Sequence, residues 1–150
     1  RDYPERLYPI GRLDNDSTGL ILLTNQGELD NKIMKAGNAH EKEYIVTVDK
    51  DITADFIKNM SSGVYLEELE VTTRKCRVTK TGPKEFKIVL TQGLNRQIRR
   101  MCQTFGYRVR TLKRVRIMNI ELGNLKEDTY RDVNSKEIKE LMKMLEGSKN

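Results

Sequence analysis

Residues 74–90 read RKCRVTKTGPKEFKIVL. Arg74 to Thr79 and Glu85 to Leu90 hold the β-branched and aromatic residues that strands favour, and Thr81-Gly82-Pro83 between them suits a tight turn. The stretch predicts an antiparallel hairpin. On its N-terminal side, Tyr44 to Val48 alternates as a strand does, and another strand is expected near Val64 to Leu66. On its C-terminal side, residues 107–122 read as strand. Leu20-Ile21-Leu22-Leu23-Thr24 is short and apolar, like a buried strand.

Helical spacings interrupt these strands unevenly. Leu29, Ile33 and Met34 follow the Asn25-Gln26-Gly27 turn and stop at Ala36-Gly37-Asn38. Thr53 can cap a helix carrying Phe56, Ile57 and Met60 that ends at Ser61-Ser62-Gly63, and Ser135 can cap a last helix with Ile138, Leu141, Met142 and Leu145. Hairpins mixed with such helices argue for an α+β fold, a mixed and largely antiparallel sheet flanked by helices, and against a doubly wound one. One domain over residues 1–150 is expected, large enough to enclose a core without disulfides or metal.

The longest apolar run, Leu20 to Leu23, falls far short of the roughly 20 residues a membrane helix needs, so no membrane span is expected. Arg1-Asp2-Tyr3-Pro4 carries neither an initiator Met nor an apolar signal region, so the chain reads as a cytoplasmic fragment that begins mid-protein. Cys76 and Cys102 stand far apart, as reduced thiols would, and His40 alone completes no ligand set, so no metal is expected. Charge is more telling. The net +6 divides into +13 over residues 71–120, where 14 Lys and Arg face the single acid Glu85, and −7 over the rest. Such segregation points to a basic face for a polyanion, with a solvated basic surface as the plainer alternative.

Three features could carry chemistry. From Asn95 to Phe105, the residues Ile98, Met101, Cys102 and Phe105 form one apolar helical stripe, and Arg96, Arg99, Arg100 and Gln103 repeat the spacing on the other side. Arg99 sits at the border, open to an inward role beside a buried carboxylate or to an ordinary surface one. Asp14 lies in GRLDNDSTG, residues 11–19, where an aspartate most simply caps or turns the backbone; Asp16 fits that plain role better. Without a metal or a His-based dyad, a loop carboxylate near a basic face is a reasonable place for a nucleophile or base. Tyr44 is either strand core or a platform on which an extruded base stacks.

These stretches together resemble a known family. GRLDNDSTGLILLTNQGEL at 11–29, HEKEYIVTVDK at 40–50 and QGLNRQIRRMCQTFGY at 92–107 are similar, in the same order, to the RsuA/RluB/RluE/RluF family of pseudouridine synthases, over about Tyr3 to Asp132. The resemblance implies the pseudouridine-synthase catalytic fold. It places the catalytic aspartate of the GRLD motif on Asp14, the tyrosine of the KxY motif on Tyr44, and on Arg99 the basic residue that pairs with the aspartate. RNA contacts are expected from Arg12, Lys42, Asn95, Arg96, Gln97, Arg100, Arg114 and Arg116. Gly123 to Tyr130 departs from the family's Pro-Gly-Trp turn, and the family's upstream basic RNA-binding module and first strand are absent from this stretch.

The implied activity is isomerisation of a specific uridine in 23S ribosomal RNA to pseudouridine, by base flipping and an aspartate-dependent break and re-formation of the glycosidic bond. No cofactor is implied, RNA is the expected partner, and the protein is expected to be a monomer. Competing readings are a synthase acting on tRNA, a non-catalytic RNA-binding or ribosome-assembly module, and a glycoside hydrolase using Asp14 and Asp16.

Overall fold

The computed structural model describes residues 7–35, 38–127 and 129–148. Its elements run β1 (Tyr8–Ile10), β2 (Thr18–Gly19), β3 (Leu22–Thr24), α1 (Glu28–Met34), β4 (Lys42–Val48), α2 (Ala54–Ser61), β5 (Tyr65–Leu66), β6 (Val71–Thr72), β7 (Arg77–Gly82), β8 (Glu85–Leu90), α3 (Gln97–Thr104), β9 (Val109–Ile117), β10 (Ile120–Glu121) and α4 (Ser135–Met144). The main sheet has the order β10-β9-β4-β8-β7, antiparallel throughout, with β2 joining β9 in parallel. This is the mixed α+β arrangement expected from the sequence. No helix among the described residues is long and apolar enough to cross a membrane.

The β7–β8 hairpin forms, but Gly82 pairs with Glu85, so the turn is Pro83-Lys84 and β7 starts only at Arg77. Thr53 caps α2 by accepting the Phe56 N–H at 3.0 Å, as its position predicts. At α4 the cap is Asn134, not Ser135: a reciprocal box with Glu137 satisfies two orphan donors at once. Along that helix only Leu141 and Leu145 are buried, while Ile138 and Met142 stay exposed. The run from Leu20 to Thr24 is no buried strand either. Leu20 and Leu22 are buried, Ile21 and Leu23 exposed, and only Leu22 to Thr24 form a strand, β3, with Leu20 and Ile21 linking it to β2. The expected stop of α1 at Ala36-Gly37 lies outside the described residues.

Two hydrophobic clusters flank the sheet's centre. One joins Val46, Phe86, Ile88, Met101 and Leu112 to α2 and α3; the other joins Ile10, Leu22, Ile33, Ile117 and Ile120 to α4. β2 ties them together through a close approach. Gly19 has φ +110 and pairs with Arg114, where any Cβ would collide with the Arg114 backbone, so only glycine fits. A bulge in β9 follows, because Glu43 pairs with Arg116 and the next residue, Tyr44, with Arg114, leaving Val115 unopposed. Such a bulge re-aims side chains. Here it sets Arg114 across from Tyr44.

Candidate active site

The loop between β1 and β2 brings Asp14 to the mouth of a pocket of about 240 Å³ whose walls come from β4, β9, α1 and the 92–99 segment. That is below the roughly 300–1,000 Å³ of drug-sized clefts, and it suits one base-sized group. Leu90, Leu94, Ile98 and Leu112 supply apolar wall, and Asp14 is the only acid lining it among the described residues.

Asp14 is held by its own turn, its carbonyl accepting the Ser17 N–H at 2.9 Å, and its carboxylate remains half exposed. The resemblance pairs it with Arg99, but the structure pairs it with Arg96, whose Nη1 lies 3.6 Å from Asp14 Oδ2. Arg96 also donates to Asp16 at 2.8 and 3.2 Å, and these bonds hold the Asp16 carboxyl below the usual aspartate range. The reason is local. Arg96 precedes α3 in a left-handed conformation, φ 49, while Arg99 lies one turn further along and meets the far side of the loop. There Arg99 Nη2 donates to the Asp16 carbonyl at 2.7 Å and to Ser17 Oγ at 3.4 Å, with its side chain 15% exposed. Arg99 therefore turns inward, toward the turn that carries Asp14 and not toward its carboxylate.

Tyr44 and Lys42 share a face of β4, alternate residues of one strand. Burial pushes the Tyr44 pKa up, with Arg114 opposing and Asp14 adding, so its hydroxyl is neutral at pH 7. Lys42 and Arg114 were expected as RNA contacts. Both are instead 1% exposed and line the pocket. Arg114 Nε donates to the Leu20 carbonyl at 3.0 Å, whereas its Nη2 and Lys42 Nζ have no partner among the described residues.

Other expected RNA contacts move inward as well. Gln97 is buried and accepts the Leu94 N–H at 3.2 Å, bracing the 92–96 loop. Arg116 is locked between Glu43 at 3.0 Å, Glu41 at 3.2 Å and the Met118 carbonyl at 2.7 Å. Arg100 binds Asn95 through its carbonyl and Oδ1 and pairs with Glu68 at 3.3 Å, so the α3 arginines are engaged and not a free row. Arg12 and Asn95 remain exposed at the pocket. Burial pushes the Cys76 thiol up to about 11 and Cys102 up to about 12, leaving neither as a thiolate. Sequence reasoning treated lysine and arginine as surface residues by type. The strand period that makes Val46 and Val48 core also places Lys42 inside, and that signal was available.

A base-sized pocket with one carboxylate at its mouth and cations around it is a site for chemistry on a single unit of a polyanion. The chain belongs to the RNA pseudouridylate synthase family, whose model matches residues 1–104. It is 54% identical over 147 residues to the dual-specificity RNA pseudouridine synthase RluF of Escherichia coli (strain K12), covering 98% of this chain and 50% of that protein. It is 32% identical over 154 residues to the ribosomal large subunit pseudouridine synthase B of Bacillus subtilis (strain 168), covering 100% of this chain and 63% of that one. A crystal structure of a pseudouridylate synthase superposes with a TM-score of 0.88 at 29% identity, over 94% of this chain and 63% of that one. The chain thus spans about half the length of the RluF relative it matches.

Proposed function

We propose that this chain is the catalytic part of an RNA pseudouridine synthase acting on a specific uridine of large-subunit ribosomal RNA. The observation that carries the reading is Asp14, a lone carboxylate at the mouth of a base-sized pocket floored by Tyr44 and rimmed by arginines. A pure RNA binder gains nothing from that carboxylate, which would repel phosphate.

The target base must leave its helix, because the glycosidic carbon is shielded in a stack. In the pocket, the uracil packs on Tyr44. The bond from ribose C1′ to N1 breaks with its electron pair leaving on the uracil, while Asp14 either attacks C1′ or takes a ribose proton. The ring turns and C5 bonds to C1′ as the Asp14–C1′ bond breaks or as Asp14 returns the proton to the ribose; the C5 proton is then lost and N1 gains one. The change is an isomerisation and is redox-neutral. Arg99 acts as a positioning residue through the Asp16 carbonyl, and Arg96 orients the Asp14 carboxylate from 3.6 Å. Exposed Arg12, Arg96 and Asn95, with Arg100 behind them, orient the RNA backbone.

The name of the Bacillus subtilis relative supports ribosomal large-subunit RNA as substrate, and the dual-specificity name of the Escherichia coli relative supports a second RNA, for which we propose tRNA. The chain works as one domain and a monomer, in the cytoplasm. To test the reading, 23S RNA and tRNA transcripts are incubated with the chain and digested to nucleosides. Loss of uridine matched by an isomer of equal mass is expected; RNA bound with no isomer formed would reject it.

A further inference from the structure

We propose that Lys42 and Arg114 form a cationic cradle for the uracil anion that exists between breaking of the old bond and formation of the new one. The proposal rests on the function inferred above. It starts from an electrostatic mismatch: two side chains that line the pocket with Asp14 are each 1% exposed, and each keeps a charged nitrogen with no partner among the described residues. Burying an unpaired cation is costly, and such groups persist where a ligand completes them.

Counterions stand close by and are committed elsewhere. Glu41 pairs with Arg77 and Arg116, and Glu43 with Arg116, each at 3.0–3.2 Å. Asp14 pairs with Arg96 at the mouth. Burial, and after it the positive charges of Arg114 on β9 and Arg74 before β7, hold the Lys42 amine down to about 8. An arriving anion relieves that field.

The cradle also sits on rigid elements. Lys42 belongs to the central strand; Arg114 is pinned through Leu20, the Gly19 contact and the β9 bulge.

Only one species in the reaction matches it. Neutral uridine and neutral pseudouridine carry no charge on the base, but when N1–C1′ breaks the electron pair spreads from N1 onto O2 and O4. Turning the ring about its N3–C6 axis exchanges N1 with C5 and, at the same time, O2 with O4. Two cations, one for each oxygen, therefore hold the anion equally well before and after the turn. They stabilise the intermediate more than either neutral end state, which is the condition for raising turnover and not mere binding.

Lys42→Met, neutral and of similar volume, tests this against Lys42→Arg. Lys42→Met should keep the parent's thermal midpoint or exceed it and retain affinity for target RNA, while turnover at saturating RNA falls ~10²-fold, the cost typical of one lost oxyanion donor. Lys42→Arg should recover part of that loss. Parent kcat/KM should decline as pH rises through about 8, where Lys42 loses its proton, and the Lys42→Met profile should stay flat there. Two results overturn the proposal. One is a destabilised Lys42→Met with unchanged turnover per folded molecule; the other is weaker RNA binding with a shallower salt slope and unchanged turnover, the mark of a phosphate contact. Turnover by the parent chain measures the function proposed above, and the ratio of variant to parent measures this inference.

Discussion

The rim of the pocket and its floor are built on opposite electrostatic terms. At the rim, Asp14 and Asp16 are half exposed and matched by Arg96 and Arg99 at 2.8–3.6 Å. On the floor, Lys42 and Arg114 are fully buried and each keeps a charged nitrogen without a partner among the described residues. Solvent-exposed pairs contribute only ~0–1 kcal/mol of stability, so the rim pairs matter chiefly for orientation. Unmatched buried cations weaken the fold until a ligand arrives. The contrast assigns the rim to placing a carboxylate and the floor to meeting a charge that develops during reaction.

The largest effect belongs to the rim carboxylate. Asp14→Asn is isosteric and lies on a loop, so folding and RNA binding should persist while turnover falls at least ~10³-fold. Turnover near the parent's would mean that the rim merely binds. Next comes Tyr44, which joins the two regions. Base stacking on an aromatic is worth ~1–3 kcal/mol, so Tyr44→Ala should lose ~10–100-fold and Tyr44→Phe much less. Equal losses in the two variants would shift the weight to the hydroxyl.

The α3 arginines sharpen the rim itself. Arg99→Ala removes the bond to the Asp16 carbonyl, a charge-assisted one worth ~1.5–3 kcal/mol, and should lower turnover more than affinity. Arg96→Ala should lower both, since Arg96 is exposed to RNA and also touches Asp14. Arg100→Ala should leave turnover at saturating RNA nearly unchanged and reduce the salt slope of binding by about one unit for a lost phosphate contact. Salt-dependent affinity and saturated turnover of the three variants, measured together, separate these roles. Identical behaviour would reduce the helix to a phosphate-binding face.

Much of this division was legible before any coordinates. Short-range spacing found the β7–β8 hairpin, the buried stripe of α3 and the Thr53 cap, because each depends on neighbours a few residues apart. It placed Asp14 on a loop before a strand for the same reason. What it missed depends on distant partners. The parallel pairing of Gly19 with Arg114 joins residues 95 positions apart and decides that Arg114 is buried. The left-handed Arg96, which turns that side chain toward Asp14 and Asp16, has no local signature such as glycine or asparagine. Ile138 and Met142 follow a helical stripe yet remain exposed, since α4 meets the second core only through Leu141 and Leu145.

The smallest effect lies remote from both rim and floor. Asn134→Ala removes the α4 cap and should cost ~1 kcal/mol of stability with no change in turnover per folded molecule, a control for the comparison. Glu137, bonded by Arg131 and the Asn134 N–H, has its carboxyl held down to about 2 from 4.5. A depressed carboxylate stabilises the fold above its unfolded value and loses that contribution as pH falls through the folded one. Denaturant midpoints should therefore drop between pH 4.5 and 2 in the parent, and less steeply in Glu137→Gln.

The central claim is that the pocket rearranges a uridine, and it is tested most directly with ribosomal RNA tritiated at C5 of its uridines. The chain should release tritium to water in step with the appearance of pseudouridine, because a C5–C1′ bond cannot form without loss of the C5 hydrogen. RNA bound without tritium release would contradict the account in favour of a binding module, and free uracil that kept its tritium would contradict it in favour of a glycosidase.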